Sequence, residues 1–362
     1  MYTYCKYVSC KILLNVRFSD ILFGDMIDIT TVVDVDYRNQ RRSCFMEYGI
    51  FLPIANNGWI ISKNSPQYMP TFELNKHVTL KAEQMGLDFV LSMVKFRGYG
   101  GETEHWDYAQ DSFTLMSGLA AVTSNIDLYA TVQPLTMHPA MVARMAATID
   151  NISNGRFGIN IVAGWNKYEY SQMGLWPGDH YYKERYEVLD EWLSVVKGLW
   201  ANGRLTHQGK NYQLEDCLCQ PTPNTTPKIV CAGMSETGLD FTVRNGDINF
   251  VAGTIEQITE VSKRGKEVAE KYGNPIKTYA LYTLIIADTD EEAKAIEQHY
   301  IAGTDSASFE KLQEARKNDK AGSTTTDLLG EIFIAPTLVG SPETIVDIFE
   351  HLEKETDIDG LI

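Results

Sequence analysis

"IDLYATVQPLTMHPAMVARMAATIDNISNGRFGINIVAGW", residues 126 to 165, decides the fold, because it runs strand, helix, strand. "IDLYATV" (126–132) is apolar and β-branched over one strand length. "HPAMVARMAATIDNISNG" (138–155) spaces its apolar residues three and four apart, with a proline suited to a first helical turn and a glycine suited to the end. "RFGINIV" (156–162) then returns to a short apolar run, so the whole stretch reads as one βαβ unit of a parallel sheet. One residue is odd in such a strand. Asn160 carries an amide into an otherwise apolar run, and the chain then opens through Ala163-Gly164-Trp165-Asn166 into a polar stretch holding Glu169 and Tyr170.

The same alternation extends in both directions. Upstream lie strand "YGIFLPI" (48–54), helix "MPTFELNKHVTLKAEQMG" (69–86), strand "DFVLSM" (88–93) and helix "DSFTLMSGLAAVTS" (111–124). Downstream come the helix "YYKERYEVLDEWLSVVKGLW" (181–200) and a hairpin with a glycine turn, "RLTHQGKNYQLEDC" (204–217). Strand "KIVCAG" (228–233), helix "SETGLDFTVRNG" (235–246), strand "INFVAG" (248–253) and helix "IEQITEVSKRGKEVAEKYG" (255–273) follow. "TYALYTLIIAD" (278–288) reads as a seventh strand and "DGLI" (359–362) as an eighth. Seven or eight βα units in one direction predict an α/β protein, a (β/α)8 TIM barrel, with a doubly wound sheet as the alternative. Residues 1–45 are irregular and read as an N-terminal extension of unknown role, ahead of a barrel domain over 46–362. The charged, then Ser/Thr-rich segment at about 303–332 reads as an insertion before the last unit.

A chain of 362 residues that is 44% hydrophobic and 22% charged has the composition of a globular protein with a substantial core. Its formal charge of -16 repels phosphate backbones and anionic lipid, and no Lys/Arg block overrides the sum, so neither nucleic acid nor a membrane surface is an expected partner. Six cysteines without a CxxC pair argue against structural zinc and a disulfide framework and point to reduced thiols. Asp20, Asp25 and Asp28 interrupt the apolar runs of the first 45 residues before a secretory or spanning segment could form. The expected address is the cytoplasm.

In a parallel barrel, ligand sites form on the rim where the strands end. The residues just past those ends are Val94 and Lys95, then Asn160 with "AGWNKYE", "CAGMSETG" and "VAGT". In "CAGMSETG" (231–238), Gly233 allows close backbone approach and Ser235 can cap the next helix. That is a phosphate site in outline or a plain helix cap. Arg185 and Tyr186 of "YYKERYE" would favour the phosphate reading if they reach the same rim, because arginine supplies a bidentate counter-charge. No nucleophilic triad, metal-ligand spacing or Walker motif stands out, and His105 and His138 are isolated, as structural or surface histidines are. Such scarcity of catalytic side chains suits a phosphate-bearing organic cofactor that carries the chemistry itself.

"LPIANNGW" (52–59), "PQYMPTFELNK" (66–76), "SMVKFRGYGG" (92–101), "SFTLMSGLAAVTS" (112–124), "ARMAATID" (143–150), "SNGRFGINIVAGWNKYEYSQMGLWPGD" (153–179) and "CAGMSETG" together resemble the bacterial-luciferase-like flavin monooxygenases. The resemblance runs from about Tyr48 to the C-terminus and is closest to members that open pyrimidine rings. It implies a TIM barrel that binds reduced FMN, with dioxygen as co-substrate. A flavin peroxide would attack a carbonyl carbon of uracil or thymine and open the ring. It further implies a separate NAD(P)H-dependent flavin reductase as partner and a homo-oligomer. By the motif match, Val94 and Lys95 would line the flavin, Asn160 would hydrogen-bond its ring system and Glu169 would lie beside it. Arg185, Tyr186 and Ser235 would hold the cofactor at its phosphate, and no side chain is given a catalytic role.

Two departures carry alternatives. "PLTMHP" (134–139) is closer to relatives that act on sulfones and amines, so a sulfone, sulfonate or aminocarboxylate is the rival substrate class. The chain stops at "DIDGLI", where family members continue the last strand and add a closing helix. A barrel without that helix would expose the apolar outer faces of its first and last strands, which the N-terminal extension could cover. The remaining alternative is a truncated, inactive flavin-binding or interaction protein.

Overall fold

The computed structural model describes residues 46–318 and 332–362; the N-terminal extension and the Ser/Thr-rich end of the insertion lie outside the described residues. Eight parallel strands close a barrel. They are β1 (Glu47–Phe51), β2 (Phe89–Ser92), β3 (Asp127–Val132), β4 (Phe157–Ile161), β7 (Lys228–Cys231), β8 (Ile248–Val251), β9 (Lys277–Ala280) and β12 (Gly360–Leu361), in the order β1-β12-β9-β8-β7-β4-β3-β2. Helices α1 (Phe72–Gln84), α2 (Ser112–Ala120), α3 (Pro139–Ser153), α5 (Tyr181–Asn202), α6 (Glu236–Asn245), α7 (Ile255–Tyr272) and α10 (Pro342–Glu355) connect the strands. A short helix α4 (Lys167–Ser171) precedes α5, and the predicted hairpin is β5 (Arg204–Gln208) paired antiparallel with β6 (Gln213–Leu218). The barrel expected from the βα alternation is therefore present, and the doubly wound sheet is not.

Local chemistry accounts for the helix limits. Pro139 opens α3 behind the cap residue His138, whose Nδ1 accepts from the Ala140 N–H. The left-handed residue that ends α3 is Asn154 (φ 55°), with Gly155 (φ 84°) continuing the turn. Thr254 and Gln257 form a reciprocal capping box at the start of α7, satisfying two otherwise unpaired N–H groups.

The barrel centre is filled by rings, and glycines make room for them. Phe89 stacks on Tyr279 at 5.1 Å and lies 5.4 Å from Tyr129. A Cβ on Gly49 would fall 2.2 Å from the Phe89 ring, and one on Gly158 would fall 2.7 Å from Tyr129. Below this layer, Glu47 pairs with Lys277 (2.6 Å) and Asp127 with Lys228 (2.8 Å), while the Tyr279 hydroxyl donates to Glu47. The bottom of the barrel is thus closed by charge and the middle by aromatic packing, which leaves the C-terminal rim as the open end.

The predicted seventh strand is two. Leu281 N–H and Tyr282 N–H bond to the carbonyls of Val251 and Ile362 and finish the barrel edge. The chain then leaves it, and β10 (Thr283–Ile286) pairs in parallel with β11 (Thr337–Gly340) in a separate sheet. One uninterrupted apolar run cannot show where a strand changes sheet. Between these strands lie α8 (Asp290–Ala302) and α9 (Ser306–Asn318), so the described part of the insertion is helical. It is bound to the rim: Asp305 accepts from Thr103 N–H and Oγ1 at 2.8 Å, and the Ser308 hydroxyl donates to the Gly100 carbonyl.

On the outside of the barrel, the outward side chains Tyr48, Ile50 and Leu361 line a cavity of about 820 Å³ together with Val78, Leu87 and Phe349. Leu361, Val78, Leu87 and Phe349 are buried there and Tyr48 and Ile50 half-buried, so among the described residues the outer faces of the first and last strands form a groove and not the exposed patch expected. No described helix is long and apolar enough to cross a membrane.

Candidate active site

The four strands β2, β3, β4 and β7 are consecutive around the barrel, so the loops after them share one arc of the rim. Register fixes what faces inward. Tyr129 pairs with Gly158 and Thr131 with Asn160, so Thr131 and Asn160 form the layer above the aromatic one. Asn160 is 7% exposed. Its Nδ2 donates to Thr131 Oγ1 (3.0 Å), and Thr131 Oγ1 donates to the Ser92 carbonyl (2.5 Å). Because the Thr131 proton is committed to Ser92, its lone pair faces Asn160 and the amide must present its NH2 group there. Asn160 Oδ1 is left buried with no hydrogen-bond partner among the described residues.

The loop after β4 builds a second polar group. Asn166 caps α4, and its Nδ2 donates to Glu169 Oε1 (3.1 Å), while Phe96 N–H donates to Glu169 Oε2 (3.3 Å). Lys95 forms an ion pair with Glu169, both side chains about 95% buried at 5% and 4% exposure. Lys95 Nζ also donates to the Tyr99 hydroxyl (3.3 Å) and sits over the rings of Trp106 (5.3 Å) and Trp165 (5.8 Å). Burial alone would drive the proton off Lys95, but the Glu169 carboxylate and Tyr99 outweigh it and hold the ammonium above its usual range. Val94, one residue before, is half-buried on the loop two residues past the end of β2.

The third group lies at β7 and α5. Ser235 caps α6, its Oγ accepting from Gly238 N–H (3.2 Å). A Cβ on Gly238 would fall 2.5 Å from the Tyr186 hydroxyl and 3.0 Å from Ser235 Oγ, so Tyr186 and Ser235 meet at the N-terminus of α6. Arg185 is 8% exposed, with its guanidinium 5.7 Å from the Tyr186 ring. It also acts electrostatically on Tyr170 and Tyr181, lowering phenol pKa values that burial raises. Gly233 is held by Asn249, which accepts from its N–H (2.9 Å) and donates to its carbonyl (3.0 Å).

The resemblance groups Val94, Lys95, Asn160, Glu169, Arg185, Tyr186 and Ser235 at the cofactor. The structure sets Lys95–Glu169 and Tyr186–Ser235 with Arg185 as two clusters on either side of Asn160 along the same arc, and places Val94 on the loop after β2 without joining it to either. It adds Thr131, Asn166 and Asn249, which orient them. Asn249 was visible only as a lone amide in an apolar strand. His138 is structural as a helix cap. His105 is fully buried, stacked on Trp106 at 5.2 Å, and neither ring nitrogen has a hydrogen-bond partner among the described residues. Burial pushes its pKa down to about 3, against the pull of Asp305 and with the help of Lys95, so the ring is neutral.

Comparison with known proteins agrees with this architecture. Residues 46–357 match the luciferase-like monooxygenase family model. A pyrimidine monooxygenase of Methylorubrum extorquens is 49% identical over 328 residues, covering 88% of this chain and 90% of the relative. A pyrimidine monooxygenase of Acinetobacter baylyi is 45% identical over 328 residues, 88% of this chain and 89% of the relative. Among solved structures, a riboflavin lyase with modified FMN and riboflavin superposes with a TM-score of 0.75 at 21% identity, over 88% of this chain and 86% of that one. The chain belongs to the luciferase-like monooxygenase family.

Proposed function

We propose that this monooxygenase binds reduced FMN and uses dioxygen to open the ring of uracil or thymine at a carbonyl carbon. The observation that carries the reading is the oriented Asn160 amide, whose buried Oδ1 has no donor among the described residues. In a barrel 45–49% identical to pyrimidine monooxygenases, a flavin ring N–H fits that need. The residues present fit the rest of the cofactor. Ser235, Tyr186 and Arg185 would hold the phosphate at the N-terminus of α6, where free N–H groups and the helix dipole favour an anion. Val94 and Lys95 would flank the ring system, with Glu169 fixing Lys95.

When bound in reduced form, the flavin supplies the electrons that activate dioxygen. The chain's own groups bind, orient and keep the site dry. Asn160 would hold the ring through its amide, Thr131 and Ser92 hold Asn160, and the indoles of Trp106 and Trp165 shield the Lys95–Glu169 pair from water. The buried ammonium would keep a fixed positive charge near the cofactor, where it would stabilise negative charge without reorganisation.

A separate NAD(P)H-dependent flavin reductase would supply the reduced cofactor in the cytoplasm, and the barrel would work as a homo-oligomer. The test is turnover of uracil by the purified chain with FMN, a flavin reductase, NADH and oxygen, read as ring-opened product by mass spectrometry. Product supports the reading. Flavin binding with product from a sulfone, sulfonate or aminocarboxylate and none from uracil or thymine overturns it.

A further inference from the structure

Gln133 is a buried polar side chain at the same rim to which neither the resemblance nor any motif gives a role. It follows β3, along which Tyr129 and Thr131 face the barrel interior while Leu128, Ala130 and Val132 pack in the outer apolar core. One further step of that alternation carries Gln133 inward, above Thr131 and beside Val162, whose N–H closes the last β3–β4 rung on the Val132 carbonyl (3.1 Å). Its backbone is fixed, because the Gln133 carbonyl accepts from Thr136 N–H (3.0 Å) and Thr136 Oγ1 (2.9 Å). The residue is 7% exposed, and its Oε1 is buried with no hydrogen-bond partner among the described residues. A carboxamide so placed and unmatched is destabilising unless a ligand completes it. Around the rim it lies between Lys95, after β2, and Asn160, on β4.

We propose that Gln133 reads the amide edge of the pyrimidine and so selects this substrate class; the inference rests on the pyrimidine reading of the same site. Uracil and thymine present a ring N–H beside a carbonyl. A carboxamide offers an acceptor and a donor at matching spacing, so Oε1 accepts from the ring N–H while Nε2 donates to the adjacent carbonyl. A sulfone or sulfonate has no such N–H and leaves Oε1 unmatched, which discriminates against it more strongly than a change of shape would. Asn160, one layer deeper and tied to Thr131, remains with the cofactor.

The test compares wild type with Gln133→Leu, similar in size but apolar, as FMN-loaded enzymes. The expected result is a rise of about 10- to 100-fold in KM and in the Kd for uracil, with FMN affinity changed less than about twofold. Uracil methylated on its ring nitrogens is the second probe: wild type rejects it relative to uracil, and the variant loses that discrimination. Gln133→Glu, which keeps shape and acceptor but not the donor, serves if the leucine variant does not fold, with an intermediate loss expected. Wild-type turnover of uracil with an unchanged KM in the variants overturns the inference and leaves the pyrimidine reading standing. Weakened FMN binding at unchanged uracil KM gives Gln133 to the cofactor and also overturns it. A wild-type enzyme that neither binds nor converts uracil removes the reading and the inference together.

Discussion

Asn160 donates to the hydroxyl of Thr131 at 3.0 Å, and the direction of that bond is set by the onward donation of Thr131 to the Ser92 carbonyl. The amide is oriented before any ligand arrives. Thr131→Val keeps the β-branched shape but strands the Asn160 NH2 and leaves the Ser92 carbonyl only the long bond from Ser112 Oγ (3.5 Å), which predicts a stability loss of about 1–3 kcal/mol. It also frees the amide to turn, so FMN affinity should fall about tenfold, and Asn160→Ala should weaken FMN binding without unfolding the protein. Fluorescence titration of FMN beside thermal melts checks both. Unchanged FMN affinity in the two variants would remove Asn160 from the cofactor site.

Lys95 and Glu169 bury opposite charges in contact, and breaking such a pair from one side is worse than removing it whole. Glu169→Gln or Lys95→Met alone should cost about 3–5 kcal/mol, while Lys95→Met with Glu169→Leu should recover much of the loss. The pH dependence has a definite sign. Lys95 is raised above its unfolded value, so its contribution is fully present below the ordinary lysine range and is lost only as alkaline pH passes through the folded value. In Glu169→Gln, the Tyr99 hydroxyl is left to oppose burial without the carboxylate, and Lys95 should fall below its unfolded value. That variant should therefore lose stability as pH drops, and denaturant titrations between neutral and alkaline pH report the reversal.

Much of this architecture is legible in the residues because helix and strand periods alternate cleanly from Tyr48 to Tyr272. The legibility fails where two sheets share one apolar run. "TYALYTLIIAD" satisfies a single strand as well as the pair β9 and β10, and only the distant partners Ile362 and Thr337 separate them. The helical nature of α9 and its place on the rim also escape the sequence, since its anchors join residues about 200 positions apart, as Asp305 joins Thr103. Asn160 is conspicuous as an amide in an apolar strand. Thr131 is not, because threonine is an ordinary strand residue, and Gln133 before Pro134 passes for the start of a turn.

His105 supplies an acid-side prediction. Its folded pKa, near 3, lies below the unfolded value of about 6.5. Between those values the unfolded chain binds one more proton, so stability due to this residue is present above about pH 6.5 and falls by about 1.4 kcal/mol per unit on acidification. His105→Phe keeps a flat ring against Trp106 and has no proton to gain. Its stability should decline less steeply between pH 6 and pH 4 than that of wild type, and equal slopes would contradict the burial argument.

Gly238 should be replaceable on helix propensity alone, since alanine is favoured over glycine in a helix by about 1 kcal/mol. Here the added Cβ would meet the Tyr186 hydroxyl at 2.5 Å, next to Ser235 Oγ. Gly238→Ala must therefore displace Tyr186 or tilt the start of α6, and either movement disturbs the cradle proposed for the phosphate. We expect FMN affinity to fall about tenfold with little change in melting temperature. Tyr186→Phe in the same background removes the clashing oxygen and should restore part of the affinity, although alone it should weaken binding. Non-additivity of this sign in FMN Kd is the signature of direct contact; additive losses would mean that Tyr186 and the α6 terminus act on the cofactor separately.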